Sequence, residues 1–258
     1  MRKIYNKNPV AFGIIFGQGL FLIFILLEYF FAAGIIVDSC LRIVFGIVAL
    51  LLMKVIYRER FTRLFTEKIS KSTWVCCIPF FLYLAIEFLY LPISDHLTNA
   101  YISYFLLAVV QQLATGFFEE TASKGLVMSG MLSKWEHTTK GRIGMTFITG
   151  VLFGSLHILN VLFNNDIMFC LWNALYSSAF GVFVAAIYLY SKNITLCMVL
   201  HAVWDIVIRI PSNFCEEIKE GALLTFINVS QDVLLLGTFP MVAIIICVLK
   251  GKNNKPIS

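Results

Sequence analysis

Four side chains in this sequence carry reactive groups where apolar residues would be expected: Glu119, Glu120, His157 and His201. They come from three separate stretches, "FFEETASKG" from 117, "FGSLH" ending at 157 and "HAVWD" starting at 201. A carboxylate held near two imidazoles, partly out of water, can act as general base on a water molecule or join the histidines around a divalent metal. Helical spacing sets Asp205 on the same face as His201, and Lys124 on the same face as Glu120. With the glutamate first, the Glu120–Lys124 pair is in its favourable order, and the two charges neutralise each other within one helix. Glu119 then points about 100° away and has no cation in its own helix. One glutamate is structural and its neighbour is available.

The elements that position these residues are expected to be membrane helices. Of 258 residues, 59% are hydrophobic and 14% charged, against roughly 45–50% apolar usage in soluble domains. The mean hydropathy is +0.85. Stretches long enough to cross a bilayer, about 20 helical residues each, fall near 10–34, 38–57, 73–92, 100–133, 143–163, 168–190, 193–210 and 222–249. The expected fold is therefore all-α, a polytopic membrane helix bundle of about eight transmembrane helices. The start, "MRKIYNKNPVAFG", is basic and then apolar without a clear small-residue cleavage site, so it reads as a retained first span. At 1.5 Å per residue, Glu119 and His157 lie roughly 21 Å from the cytoplasmic ends of their helices, His201 roughly 12 Å and Asp205 roughly 18 Å. All four fit one layer of the membrane.

Charge placement orients the bundle. Sixteen of the 20 lysines and arginines fall on one side, which puts both termini in the cytoplasm of a multi-pass protein in the cytoplasmic membrane. The net charge of +5 then belongs to loops, not to a nucleic-acid partner. The basic segment 58–72, "RERFTRLFTEKISKS", reads as an amphipathic surface helix on anionic lipid. Seven scattered cysteines without a CxxC pair read as small buried hydrophobes. Glu28 and Arg42 suit an ion pair between the outer ends of adjacent spans, Glu87 suits the interface, and Asp232 could line a cavity. The repeat of Ser177, Gly181 and Ala185 indicates close helix packing.

"EETASK" (119–124), "FGSLH" (153–157) and "HAVWD" (201–205) resemble the three ordered motifs of the CPBP intramembrane proteases, E-E-x-x-x-R, F-x-x-x-H and H-x-x-x-N or D. That family includes the CAAX prenyl endopeptidases and the bacteriocin-processing or Abi-type proteins. The resemblance covers about 100–210, which it marks as a catalytic core within a single integral membrane domain spanning 1–258. It implies an intramembrane endopeptidase acting on a membrane-associated or leader-bearing peptide or protein. By position, Glu119 would activate water, His157 and His201 would bind a metal or stabilise the oxyanion, and Asp205 would orient or ligate. Glu120 and Lys124 would give structural support. The cofactor implied is Zn2+, with His157, His201 and Glu119 as ligands, while a metal-independent glutamate mechanism suits the same residue types. Lys124 stands where the family usually has Arg, which keeps the charge and loses the bidentate fork.

The resemblance allows prenylated C-terminal peptides, bacteriocin or pheromone precursors, and membrane-tethered regulators as substrates, and the Ile, Phe, Lys and Asn usage weakly favours the latter two over prenylated peptides. Two other classes fit intramembrane carboxylates and histidines: a non-catalytic membrane scaffold or immunity protein, and a cation- or proton-coupled carrier. The absence of an inverted repeat weighs against the carrier. The expected partners are a peptide or membrane-protein substrate and the lipid bilayer, with no nucleic acid; oligomeric state is not legible in the residues.

Overall fold

The computed structural model describes residues 2–31, 34–58, 61–88, 99–214 and 222–252. Among them there is no strand, and the described parts of the stretches expected to span the membrane are helical through nearly all their length. Helices α1 (Pro9–Phe31), α2 (Ile35–Tyr57) and α3 (Ile78–Phe88) precede α4 (Asn99–Glu120). The latter runs through a wider π-helical stretch, Thr121–Met128, into α5 (Ser129–Trp135). Next come α6 (Thr139–Ser155), tightening into a 3-10 stretch Leu156–Leu162, then α7 (Ile167–Ser191) and α8 (Ile194–Phe214). The last span is α9 (Ala222–Asp232), a second π-helical stretch Val233–Thr238, and α10 (Phe239–Lys252).

Six of these helical runs are long and apolar enough to cross a membrane, while Ile78–Glu87 and Ile194–Ile208 are shorter apolar helices. Among the described residues, six of the eight expected spans thus meet the length and hydropathy of a membrane crossing. Apolar side chains such as Ile15, Phe30, Leu51 and Leu106 face outward and exposed, as helices in hydrocarbon require. Helix α7 runs through the middle, fully buried from Val182 to Leu189, against α6, α8 and α10. With lipid outside as apolar as leucine, helix association relies on close packing at small residues. At Gly154 an added Cβ would collide with the Ser178 hydroxyl and backbone nitrogen, so α6 and α7 touch there. Ser177, by contrast, faces a cavity.

One expectation changes in three dimensions. Among the described residues of 58–72, the α-helical ones before the helix that starts at Lys71 are Arg63–Thr66. Phe61, Leu64, Phe65 and Ile69 pack on the bundle core, and Asn193 donates from Nδ2 to the Glu67 carbonyl at 2.7 Å. Their near-helical spacing therefore serves a loop folded onto the protein, not a helix lying on lipid. Glu87 is buried at 9% exposure within the bundle. At the end of α7, Lys192 adopts a left-handed conformation (φ 55°) and pairs with Glu136. Burial pulls its ammonium below the usual lysine range, and Glu136 opposes that pull. Among the described residues all six cysteines are unpaired. The loop segments 91–98 and 215–221 and the side chain of Arg209 lie outside the described residues.

Candidate active site

Glycine makes the first approach possible. At Gly116 an added Cβ would lie 2.6 Å from the Met198 carbonyl, so α4 and α8 run almost backbone to backbone just before the glutamates. That proximity brings His201 against both of them. Its Nδ1 lies 2.8 Å from Glu120 Oε1. An ionised carboxylate can only accept, so this contact requires the ring proton on Nδ1. Its Nε2 lies 3.7 Å from Glu119 Oε2 and 3.5 Å from Asp205 Oδ2. The imidazole is a bridge between the two glutamates.

Behind the bridge the site is sealed. Glu120 and Lys124 are both completely buried, and Lys124 Nζ lies 3.2 Å from Glu120 Oε1 and 3.1 Å from Oε2. The ammonium also stands 5.0 Å from the centre of the Phe153 ring, a cation–π contact. The i,i+4 pair expected from the sequence is therefore present, at the junction of α4 with the π-helical stretch. Widening a helix leaves carbonyls without their usual donors, and here side chains supply them. Tyr57 donates to the Gly125 carbonyl at 3.0 Å, and Ser129 donates to the Lys124 carbonyl at 2.9 Å while contacting Tyr188 Oη at 2.8 Å.

In front of the bridge lies a cavity of about 610 Å³, within the range of ~300–1,000 Å³ common for ligand sites. Glu119, His157, His201 and Asp205 all line it, together with aromatic walls such as Phe180 and Trp204. Glu120 and Lys124 do not line it. His157 sits in the 3-10 stretch after α6, where the chain tightens, and its Nδ1 makes a long 3.4 Å contact with the Phe153 carbonyl. Phe153 packs against both histidine rings. The structure thus gathers all four expected site residues around one space, with the two supporting residues behind them.

One participant was missed in the sequence. Glu119 does have a cation, supplied by another helix: Arg42 Nη1 donates to Glu119 Oε1 at 3.1 Å. The expected Glu28–Arg42 pair is also present, at 3.5 Å. The available signal was Asp38, four residues before Arg42 in an apolar run, at the spacing of a helical ion pair. Tyr176 gives Asp232 a partner as well, donating to its Oδ1 at 2.7 Å beside the cavity.

The donors do not compose a metal centre as they stand. Among the described residues no three His, Cys, Asp or Glu side chains are grouped to hold a metal ion. Arg42 occupies one oxygen of Glu119, and Glu120 occupies Nδ1 of His201. Zinc sites need three or four donors converging at about 2.0–2.2 Å from one point. Glu119, His157 and His201 do not fit that requirement in this arrangement.

The family model described as type II CAAX prenyl endopeptidase Rce1-like matches residues 99–207. This stretch is an Rce1-like domain. It runs from the first residue of α4 into α8 and contains all three motifs, so the Rce1-like domain holds the bridge, the sealed pair and most of the cavity wall. Arg42, Asp38 and Glu28 lie outside it. No curated protein and no solved structure matches the chain.

Proposed function

We propose that this protein is an intramembrane endopeptidase in which Glu119 activates water for attack on a peptide bond. The supporting observation is the division of labour between adjacent glutamates: only Glu119 reaches the cavity, beside His157, His201 and Asp205. In the proposed reaction the Glu119 carboxylate takes a proton from water as the water oxygen bonds to the scissile carbonyl carbon. The carbonyl electrons move onto oxygen, where a ring N–H of a cavity histidine stabilises the oxyanion. His157 and His201 both line the cavity, and Nε2 of His201, whose Nδ1 is held by Glu120, faces Glu119 there. Collapse breaks the C–N bond, and the leaving amine receives the proton from Glu119. Glu120 holds the His201 ring, and Lys124 balances Glu120.

The Rce1-like domain and the three motifs favour this reading over a scaffold, an immunity protein or a carrier. We read the chain as a single integral membrane domain with its catalytic core at 100–210. Its basic loops favour both termini on the cytoplasmic side of a cytoplasmic membrane. The proposed substrate is a membrane-associated or leader-bearing peptide or protein, with prenylated C-terminal peptides and bacteriocin precursors as the two chemistries to be compared. We propose the metal-independent form of the reaction on the strength of the donor arrangement, and zinc is the alternative that a chelator experiment decides.

The test compares membrane and secreted peptides from cells producing wild type or Glu119→Gln at equal abundance, by mass spectrometry. A precursor that accumulates only with the variant is expected and would identify the substrate. Matching profiles, where deletion of the whole protein has a phenotype, would refute proteolysis and favour the scaffold and carrier readings.

A further inference from the structure

We infer that Arg42 is a positioning residue for Glu119, aiming one carboxylate oxygen into the cavity by holding the other. This inference rests on the proteolytic reading of Glu119. It concerns a residue on α2, beyond the Rce1-like domain.

The guanidinium is fixed on every side. Arg42 Nε lies 3.0 Å from Asp38 Oδ1 and 2.9 Å from Oδ2. Asp38 is held in turn by Gln111, whose Nε2 donates to Oδ2 at 2.6 Å. Gln111 belongs to α4, the helix that carries Glu119, so Asp38, Arg42, Gln111 and Glu119 form a closed circuit between two helices. Arg42 Nη2 faces Glu28 on α1 at 3.5 Å, and its central carbon stands 4.7 Å from the centre of the Phe24 ring. A guanidinium has five N–H donors in one rigid plane. Once Asp38, Glu28 and Phe24 set that plane, Nη1 can meet Glu119 from one direction only. It meets Oε1 at 3.1 Å, and Oε2 is left facing His201 Nε2 at 3.7 Å.

An ion pair that merely tied α2 to α4 would need only the Asp38–Gln111 bond and any cation at position 42. Positioning needs the fork. A lysine there retains the charge and cannot satisfy Asp38 and Glu119 in fixed directions together. Misplacement of a reacting group by about 1 Å costs around 100-fold in rate.

The test uses the full chain and two readouts. With glutamate isotope-labelled, the infrared difference between wild type and Glu119→Gln isolates the Glu119 carboxylate stretch without any substrate. In Arg42→Lys, whose melting temperature checks folding, the same bands are expected to shift. The second readout is pulse-chase conversion of the precursor that accumulates in Glu119→Gln cells. Arg42→Lys is expected to slow it by about 10- to 100-fold, and Asp38→Asn by less, because Asp38 does not itself contact Glu119. Unchanged bands, or conversion at the wild-type rate in Arg42→Lys, would overturn the inference and leave the proteolytic reading standing. If wild type and Glu119→Gln cells share one peptide profile, the proteolytic reading fails and takes the positioning role with it. The infrared bands then still decide whether Arg42 holds the carboxylate.

Discussion

Glu119 and Glu120 are neighbours in the chain and belong to two different regions of the molecule. Glu120 lies in the sealed interior, with Lys124 on its own helix as counter-charge and His201 as its second partner. Glu119 lies on the cavity wall, and its counter-charge comes from Arg42 on a separate helix. Taking an ion pair fully out of water costs several kcal/mol per ion, and nearly perfect local pairing is needed to offset it. That suits a group whose task is to stay put. A carboxylate that must exchange a proton with a bound molecule needs access instead, with one oxygen anchored and one left over. His201 joins the two regions, so the buried pair can set the orientation of a ring that faces the cavity.

The comparison is broken most directly at Glu119. Glu119→Gln should lower turnover by about 10³-fold or more while the melting temperature stays within a degree or two of wild type. A variant that keeps its activity would show that the cavity side does not hold the base. Glu120→Gln should act the other way round, on stability. Removing one partner of a buried pair strands the other, so a loss of about 3–5 kcal/mol is expected, read as reduced folded protein in the membrane. Adding Lys124→Met should restore much of that loss, because no charge is then left unpaired. Equal stability of all three proteins would mean that the interior is not sealed.

Smaller effects sharpen the same contrast. Gly116→Ala places a Cβ against the Met198 carbonyl and should push α4 from α8, costing about 1–3 kcal/mol. It should also loosen the hold of Glu120 on His201, which nitrogen chemical shifts of the ring would report. Asp205→Asn keeps size and hydrogen bonding and removes charge 3.5 Å from His201 Nε2. A rate loss within about tenfold is expected. Treatment with a zinc chelator such as 1,10-phenanthroline should leave turnover unchanged. Inactivation reversed by added Zn2+ would instead establish a ligand set that forms only with metal.

What the sequence determined by itself is the extent of the apolar helical runs and the side-chain pairs within one helix. Bilayer thickness sets the length of an apolar run, so the helical segments were legible, down to the turn between α7 and α8. The 3.6-residue period made Glu120–Lys124 and His201–Asp205 readable as pairs and separated Glu119 from Glu120. Tertiary structure alone decided the rest. The contacts of Arg42 with Glu119 and of His201 with Glu120 join residues 77 and 81 positions apart. The apolar side chains of 58–72 are likewise spaced as a surface helix would be, and they pack on the core where Asn193, beyond α7, also meets the Glu67 carbonyl. An i,i+4 pair follows from the geometry of one backbone. A pair across two helices depends on their relative depth and rotation, which packing at positions such as Gly116 and Gly154 sets and no single stretch of residues encodes.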